Sequence, residues 1–82
     1  MSSTMTFEDL KTIVSRCVDE LELTEADLGT AFTEIGYDSL AVLEIASQIQ
    51  REYGLQIPDE AIETMDTPKA VIDYVNTSLA AA

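Results

Sequence analysis

The chain has no histidine. That absence excludes a Ser–His or Cys–His catalytic pair and any His-ligated metal centre. Its single cysteine, Cys17, cannot close an intrachain disulfide, so folding is not expected to depend on an oxidising compartment. Cations are scarce too: four Lys or Arg stand against 16 Asp or Glu, a formal net charge of −12. A surface of that sign repels phosphate backbones and anionic bilayers, which argues against nucleic-acid and membrane partners and favours proteins with basic patches. No apolar run of about 18 residues is present to span a bilayer. Residues 1–6 lack the basic-then-apolar pattern of a secretion signal, so a cytoplasmic location is expected. Glycine and proline are few, at three and two, and runs of β-branched residues are short, which favours helices.

What remains is a globular composition, 46% apolar and 24% charged, in 82 residues. That is one small domain over residues 1–82, of a size that buries only roughly 60% of its unfolded surface. Thr6 offers a cap, with Asp9 three residues on, for a first helix over about residues 7–21. Phe7, Leu10, Ile13, Val14, Cys17, Val18 and Leu21 fall within one sector of about 140° on that helix, opposite Glu8, Asp9, Thr12, Ser15 and Arg16. Cys17 therefore reads as a small core residue and not a nucleophile. Residues 21–37 follow no single period. Their anchors, Leu23, Leu28, Phe32 and Ile35, suit a long connection that crosses the end of a bundle, with one helical turn at Thr24-Glu25-Ala26-Asp27. Asp38 caps a second helix over about 39–53, closed by Gly54. A short third helix follows at about 59–65. Thr67-Pro68 opens a fourth over about 68–79, with Val71, Ile72, Val75 and Leu79 on one side. The expected fold is all-α: a small four-helix bundle with three longer helices, one short third helix and a long first loop.

The helix over 39–53 has one apolar face too many. With Leu40 at zero, Val42, Ile45, Ala46, Ile49 and Tyr53 cluster between roughly 140° and 240°, the expected core stripe. Leu40 and Leu43 lie on the other side, with Glu44, Ser47, Gln50 and Arg51. Two leucines beside each other among polar neighbours point to a docking patch. Just before that patch, Ser39 falls in the first turn, where unpaired backbone N–H groups and the helix dipole favour an attached anion. Without histidine only carboxylates or four scattered basic residues remain to activate Ser39 as a nucleophile, and the spacing is not that of a hydrolase elbow. An exposed hydroxyl beside an apolar patch is instead a site for another enzyme to modify.

Gly36-Tyr37-Asp38-Ser39-Leu40, followed by Glu44, resembles the attachment signature of acyl carrier proteins. The resemblance extends over nearly the whole chain, through Phe32-x-x-Ile35-Gly36, Tyr53-Gly54-Leu55-Gln56-Ile57-Pro58 and Thr67-Pro68. It is particularly similar to carriers of bacterial aromatic (type II) polyketide synthases, where Gly-Tyr-Asp-Ser-Leu is common. The resemblance implies a non-catalytic carrier with 4′-phosphopantetheine, taken from coenzyme A, on Ser39. Asp38 would assist the transferase, often through that enzyme's magnesium. Leu40, Leu43, Glu44 and Ser47 would face partner enzymes, and Ile62 and Met65 would touch the arm or its cargo. The arm would carry malonyl units and growing polyketide chains as thioesters. The implied partners are a phosphopantetheinyl transferase, a malonyl transferase, a ketosynthase with its chain-length factor, a ketoreductase and cyclases, acting on a monomeric carrier. Gln48, Gln50 and Arg51 dilute the acidity of the helix over 39–53, which favours a polyketide over a fatty-acid partner set. Two other readings stay open from the residues: a fatty-acid carrier, and an unmodified acidic adaptor or cation-binding protein. The second lacks a D-x-[DN]-x-[DN]-G calcium loop.

Overall fold

In the computed structural model, which describes residues 4–18 and 21–81, each of the three long helices starts where a side chain caps it. Helix α1, Phe7–Cys17, opens on a reciprocal pair: the Asp9 N–H donates to Thr6 Oγ1 at 3.2 Å and the Thr6 N–H to Asp9 Oδ2 at 3.0 Å. Two of the four orphan donors at that end are thereby satisfied. Helix α2, Phe32–Ile35, is a single turn, and α3, Ser39–Tyr53, is the longest element. Helix α4 spans Asp59–Thr64 and α5 spans Pro68–Ala81, where the Ala70 N–H donates to Thr67 Oγ1 at 3.1 Å. The described residues contain no strand. The bundle expected from the sequence is the one observed, with boundaries that differ in instructive places.

The first helix stops at Cys17 and not at residue 21, because Val18 is already extended (φ −139°, ψ 96°). Arg16 complements the negative end of the α1 dipole; the next charges in sequence are Asp19, Glu20 and Glu22, and another helical turn would set acids there. Residues 19 and 20 lie outside the described residues. Leu21 leaves the helical stripe and packs over Gly36, where a Cβ would sit 3.2 Å from its Cδ1. Gly36 has φ +129°, which a residue with a side chain rarely adopts.

The long first connection is tied down, as its anchors required. Glu25–Asp27 form a 3₁₀ turn, Leu23 and Phe32 are buried, and α2 supplies the one-turn helix that periodicity did not reveal. Its far end is hydrogen-bonded to the α4–α5 junction. The Phe32 N–H donates to the Asp66 carbonyl at 2.8 Å, and the Lys69 N–H to the Leu28 carbonyl at 3.0 Å. The connection thus closes one end of the bundle.

Met5, Leu10, Val14, Ile45, Ile49 and Val75 belong to the one buried cluster that α1, α3 and α5 share. Each large aliphatic side chain removed from water contributes about 1.5–3 kcal/mol. The segment before α1 is clipped to α5. Asn76 Oδ1 accepts from the Met5 N–H at 2.6 Å and its Nδ2 donates to the Met5 carbonyl at 3.1 Å. On α3 the stripe holds for Ile45, Ala46 and Ile49, but Ala41 is also buried while Val42 and Tyr53 are only half-buried. Helix α4 ends one residue before the expected boundary. Met65 follows it as a buried anchor, 2% exposed, and α5 runs two residues past the expected 79.

Candidate functional site

The approach to α3 fixes how its first turn is presented. Gly36 and Tyr37 both donate their N–H groups to the Phe32 carbonyl, at 3.0 and 2.9 Å. Tyr37 is buried, 2% exposed, with its ring edge-on to Phe32 at a centroid distance of 5.6 Å and 84° between planes. With the residue before it locked in the core, Asp38 emerges at the helix N-cap and accepts the Ala41 N–H on Oδ1 at 2.8 Å. Ser39 is the first helical residue. It is exposed, and no hydrogen bond among the described residues holds its hydroxyl. The free N–H groups of this first turn give the end a partial positive charge, which suits a phosphate ester on the serine oxygen.

Ser39 helps line a groove of about 520 Å³ between α2, α3 and α4. Its apolar lining comes from Phe32, Val42, Leu43, Ile62 and Met65. The polar lining residues are Thr33, Asp59, Glu63 and Asp66, all exposed, besides Ser39 itself. That volume lies within the range of small-molecule pockets, roughly 300–1,000 Å³.

Leu40 and Leu43 are the exposed large hydrophobics, at 67% and 44%. Glu44 and Ser47 are exposed beside them on α3. The structure divides the residues singled out from the sequence into two sets. Ser39, Leu43, Ile62 and Met65 share the groove, whereas Leu40, Glu44 and Ser47 lie outside its lining on the open face of α3. Leu43 belongs to both surfaces. Sequence reasoning missed Phe32, Thr33, Asp59, Glu63 and Asp66 as groove residues and set Val42 wholly in the core. The 200° position of Val42, at the middle of the α3 stripe, gave no hint that α4 stands off far enough to leave a channel.

Among the described residues no base is hydrogen-bonded to the Ser39 hydroxyl. Cys17 is half-buried away from the groove, and burial, reinforced by the Glu44 carboxylate, pushes its thiol above the ordinary value of 9.0. Among the described residues no three His, Cys, Asp or Glu side chains converge as a metal site. No helix among them is long and apolar enough to cross a membrane.

An exposed serine at a capped helix start, beside an apolar groove, suits a covalently attached phosphate ester, and residues 8–75 match the phosphopantetheine attachment site family. The chain belongs to that family, and within it to the acyl carrier proteins of polyketide synthases. It is 42% identical over 83 residues to the oxytetracycline polyketide synthase acyl carrier protein of Streptomyces rimosus, covering 95% of this chain and 85% of the relative. It is 36% identical over 85 residues to the actinorhodin polyketide synthase acyl carrier protein of Streptomyces coelicolor, covering 100% and 99%. The solution structure of the hexanoyl form of the actinorhodin carrier superposes with a TM-score of 0.86 at 35% identity, covering 100% of this chain and 99% of the other. A covalently attached 4′-phosphopantetheine group accompanies membership of this family.

Proposed function

We propose that this chain, as a single carrier domain, holds polyketide intermediates as thioesters on an arm attached to Ser39 and presents them to the enzymes of a synthase. The attached arm supplies the thiol that bears the acyl group; the protein supplies position. The observation that carries this reading is the Ser39 hydroxyl itself: on an exposed residue, without a hydrogen bond among the described residues, at the positive end of a 15-residue helix and beside an apolar groove. In the transfer reaction the Ser39 oxygen forms the bond to phosphorus, the phosphoanhydride of coenzyme A breaks, the nucleotide leaves, and the serine proton passes to a base of the transferase. Asp38 keeps its Oδ1 on the helix cap and turns the rest of its exposed carboxylate toward that enzyme.

Leu40, Leu43, Glu44 and Ser47 form the docking face, and Ile62 and Met65 meet the arm or its cargo from across the groove. The partners are a phosphopantetheinyl transferase, a malonyl transferase, a ketosynthase with its chain-length factor, a ketoreductase and cyclases, met in the cytoplasm by a monomer. The carrier performs none of their chemistry. A net charge of −12 speeds encounter with basic enzyme mouths, a small apolar patch sets register, and the tether raises the local concentration of cargo at each docked enzyme. Incubation with coenzyme A and a promiscuous transferase, read by intact mass, tests the proposal. Wild type gains one phosphopantetheine and Ser39→Ala gains none; no gain on wild type, or an equal gain on the variant, defeats it.

A further inference from the structure

We infer that Arg51 is the positive end of a two-signed docking face on α3, and that the enzyme surface it fits carries an acidic side chain beside its basic ones. The inference rests on the carrier reading and adds the chemistry of the partner. Of the four cations in the chain, Lys11 pairs with Glu22 at 3.7 Å, Arg16 with Glu52 at 3.1 Å and Lys69 with Asp73 at 3.0 Å. Arg51 is exposed and has no ion pair among the described residues, although the sequence holds 16 acids that could supply one. Its counter-ion is not provided by the fold.

Arg51 also stands in line with the docking residues. Leu40, Glu44, Ser47 and Arg51 follow at intervals of four, three and four, which sets them in one row within about 60° of each other. All four are exposed. The row runs about 16 Å from Leu40 to Arg51, at roughly 1.5 Å per residue. Even a weak protein–protein contact covers roughly 500 Å² on each partner, a patch about 25 Å across. An enzyme that covers Leu40, Leu43 and Glu44 therefore reaches Arg51 as well. Arg51 lies in the last turn of α3, where a cation complements the helix dipole. Any side of that turn would serve the dipole, so the dipole does not explain a place on this row.

Glu44 and Arg51 are thus two turns apart, about 10 Å along the axis, with opposite signs. A uniformly basic surface attracts the first and repels the second. A surface with a base and, about 10 Å further on, an acid satisfies both, and in one direction only. Docking end for end would set like charges opposite each other. The net charge brings the carrier to its partner, and the unpaired cation orients it so that the Ser39 end of the row meets the partner's basic side.

The ketosynthase–chain-length factor pair of the oxytetracycline synthase, whose carrier is 42% identical to this chain, serves as the probe. Wild type, Arg51→Lys and Arg51→Glu are first converted to their malonyl-loaded forms. Intact mass verifies loading, and failure there counts against the carrier reading alone. Steady-state chain extension then gives KM and kcat at about 50 mM and about 500 mM salt. At low salt Arg51→Glu raises KM about fivefold with kcat within about twofold, and Arg51→Lys stays within about twofold of wild type in both. High salt closes the gap. A role in the helix dipole alone would lower the Tm of Arg51→Glu and leave KM where it was. An unchanged or lower KM for Arg51→Glu overturns the inference, the lower value being what a wholly basic partner gives. A raised KM that persists at high salt overturns it as well, because the contact would then not be electrostatic. So does a loaded wild type that the enzyme pair fails to extend.

Discussion

Replacing Tyr37 by Phe should make this protein more stable, although Tyr37 sits two residues before Ser39, the proposed attachment point. The side chain is 2% exposed, and its Oη is buried with no hydrogen-bond partner among the described residues. An unsatisfied buried polar group costs about 1–3 kcal/mol relative to its hydration in the unfolded chain. Removing the oxygen recovers that cost and leaves the edge-on ring contact with Phe32 in place. The void of a single oxygen atom returns about 0.5 kcal/mol at the usual cavity rate. The net is a gain of about 1 kcal/mol, or roughly 4–8 °C in Tm for a domain of this size. Thermal melts and urea titrations followed by circular dichroism read it directly, with an unchanged urea slope indicating that the unfolded state is unaffected. A fall in Tm of comparable size would refute the reasoning, because it would mean that the hydroxyl has a partner in solution. The Asp27 carboxylate, whose charge is already felt at the phenol, is a candidate for that role.

Different substitutions separate the helix cap that Asp38 forms from the transferase role proposed for it. Asp38→Asn keeps an oxygen for the Ala41 N–H and should hold stability within about 0.5 kcal/mol while slowing transferase loading; Asp38→Ala loses the cap as well, about 1 kcal/mol by urea titration. Leu43→Ser should cost about 1 kcal/mol, since nearly half of the side chain is already in water, and should slow transfer to partner enzymes in a steady-state assay. Collapse of the domain would return Leu43 to the core. Alkaline pH should destabilise the fold. Burial raises the Tyr37 and Tyr53 phenols above 10.0 and the Cys17 thiol above 9.0, with Asp27, Asp9 and Glu52, and Glu44 adding to the respective effects. Above about pH 9 the unfolded chain releases these protons before the folded one does, so it binds fewer protons and stability falls as pH rises. Urea midpoints at about pH 7.5 and pH 10.5 should show that fall, and a smaller one in Tyr37→Phe; equal midpoints would contradict it.

The parts of the fold that local chemistry decides were legible in the sequence. Thr6, Asp38 and Thr67 cap the helices they were expected to cap, and Leu40 and Leu43 face water as their angles require. What sequence reasoning missed is tertiary. Val18 and Leu21 continue the α1 period, yet Leu21 is claimed by the close approach at Gly36, so the helix ends early. Helix α2 is too short to carry a period at all. The groove draws on Phe32, Val42 and Met65, three positions separated by ten or more residues and each readable alone as core. Gln50 illustrates the same limit. Read as a dilution of surface charge, it is half-buried and accepts the Ile57 N–H on Oε1 at 2.7 Å, tying α3 to the segment before α4. Its neutrality therefore says less about partner choice than its exposed neighbour Arg51 does.

Fragmentation mass spectrometry of the transferase-treated protein tests the central claim most directly, because it asks which oxygen is taken and not merely whether one is. Several other serines are present, among them Ser15, Ser47 and Ser78. The account predicts that the whole phosphopantetheine increment maps to Ser39, at the capped start of α3. An increment on any other residue, or an untouched Ser39 in a protein that remains folded, would contradict it.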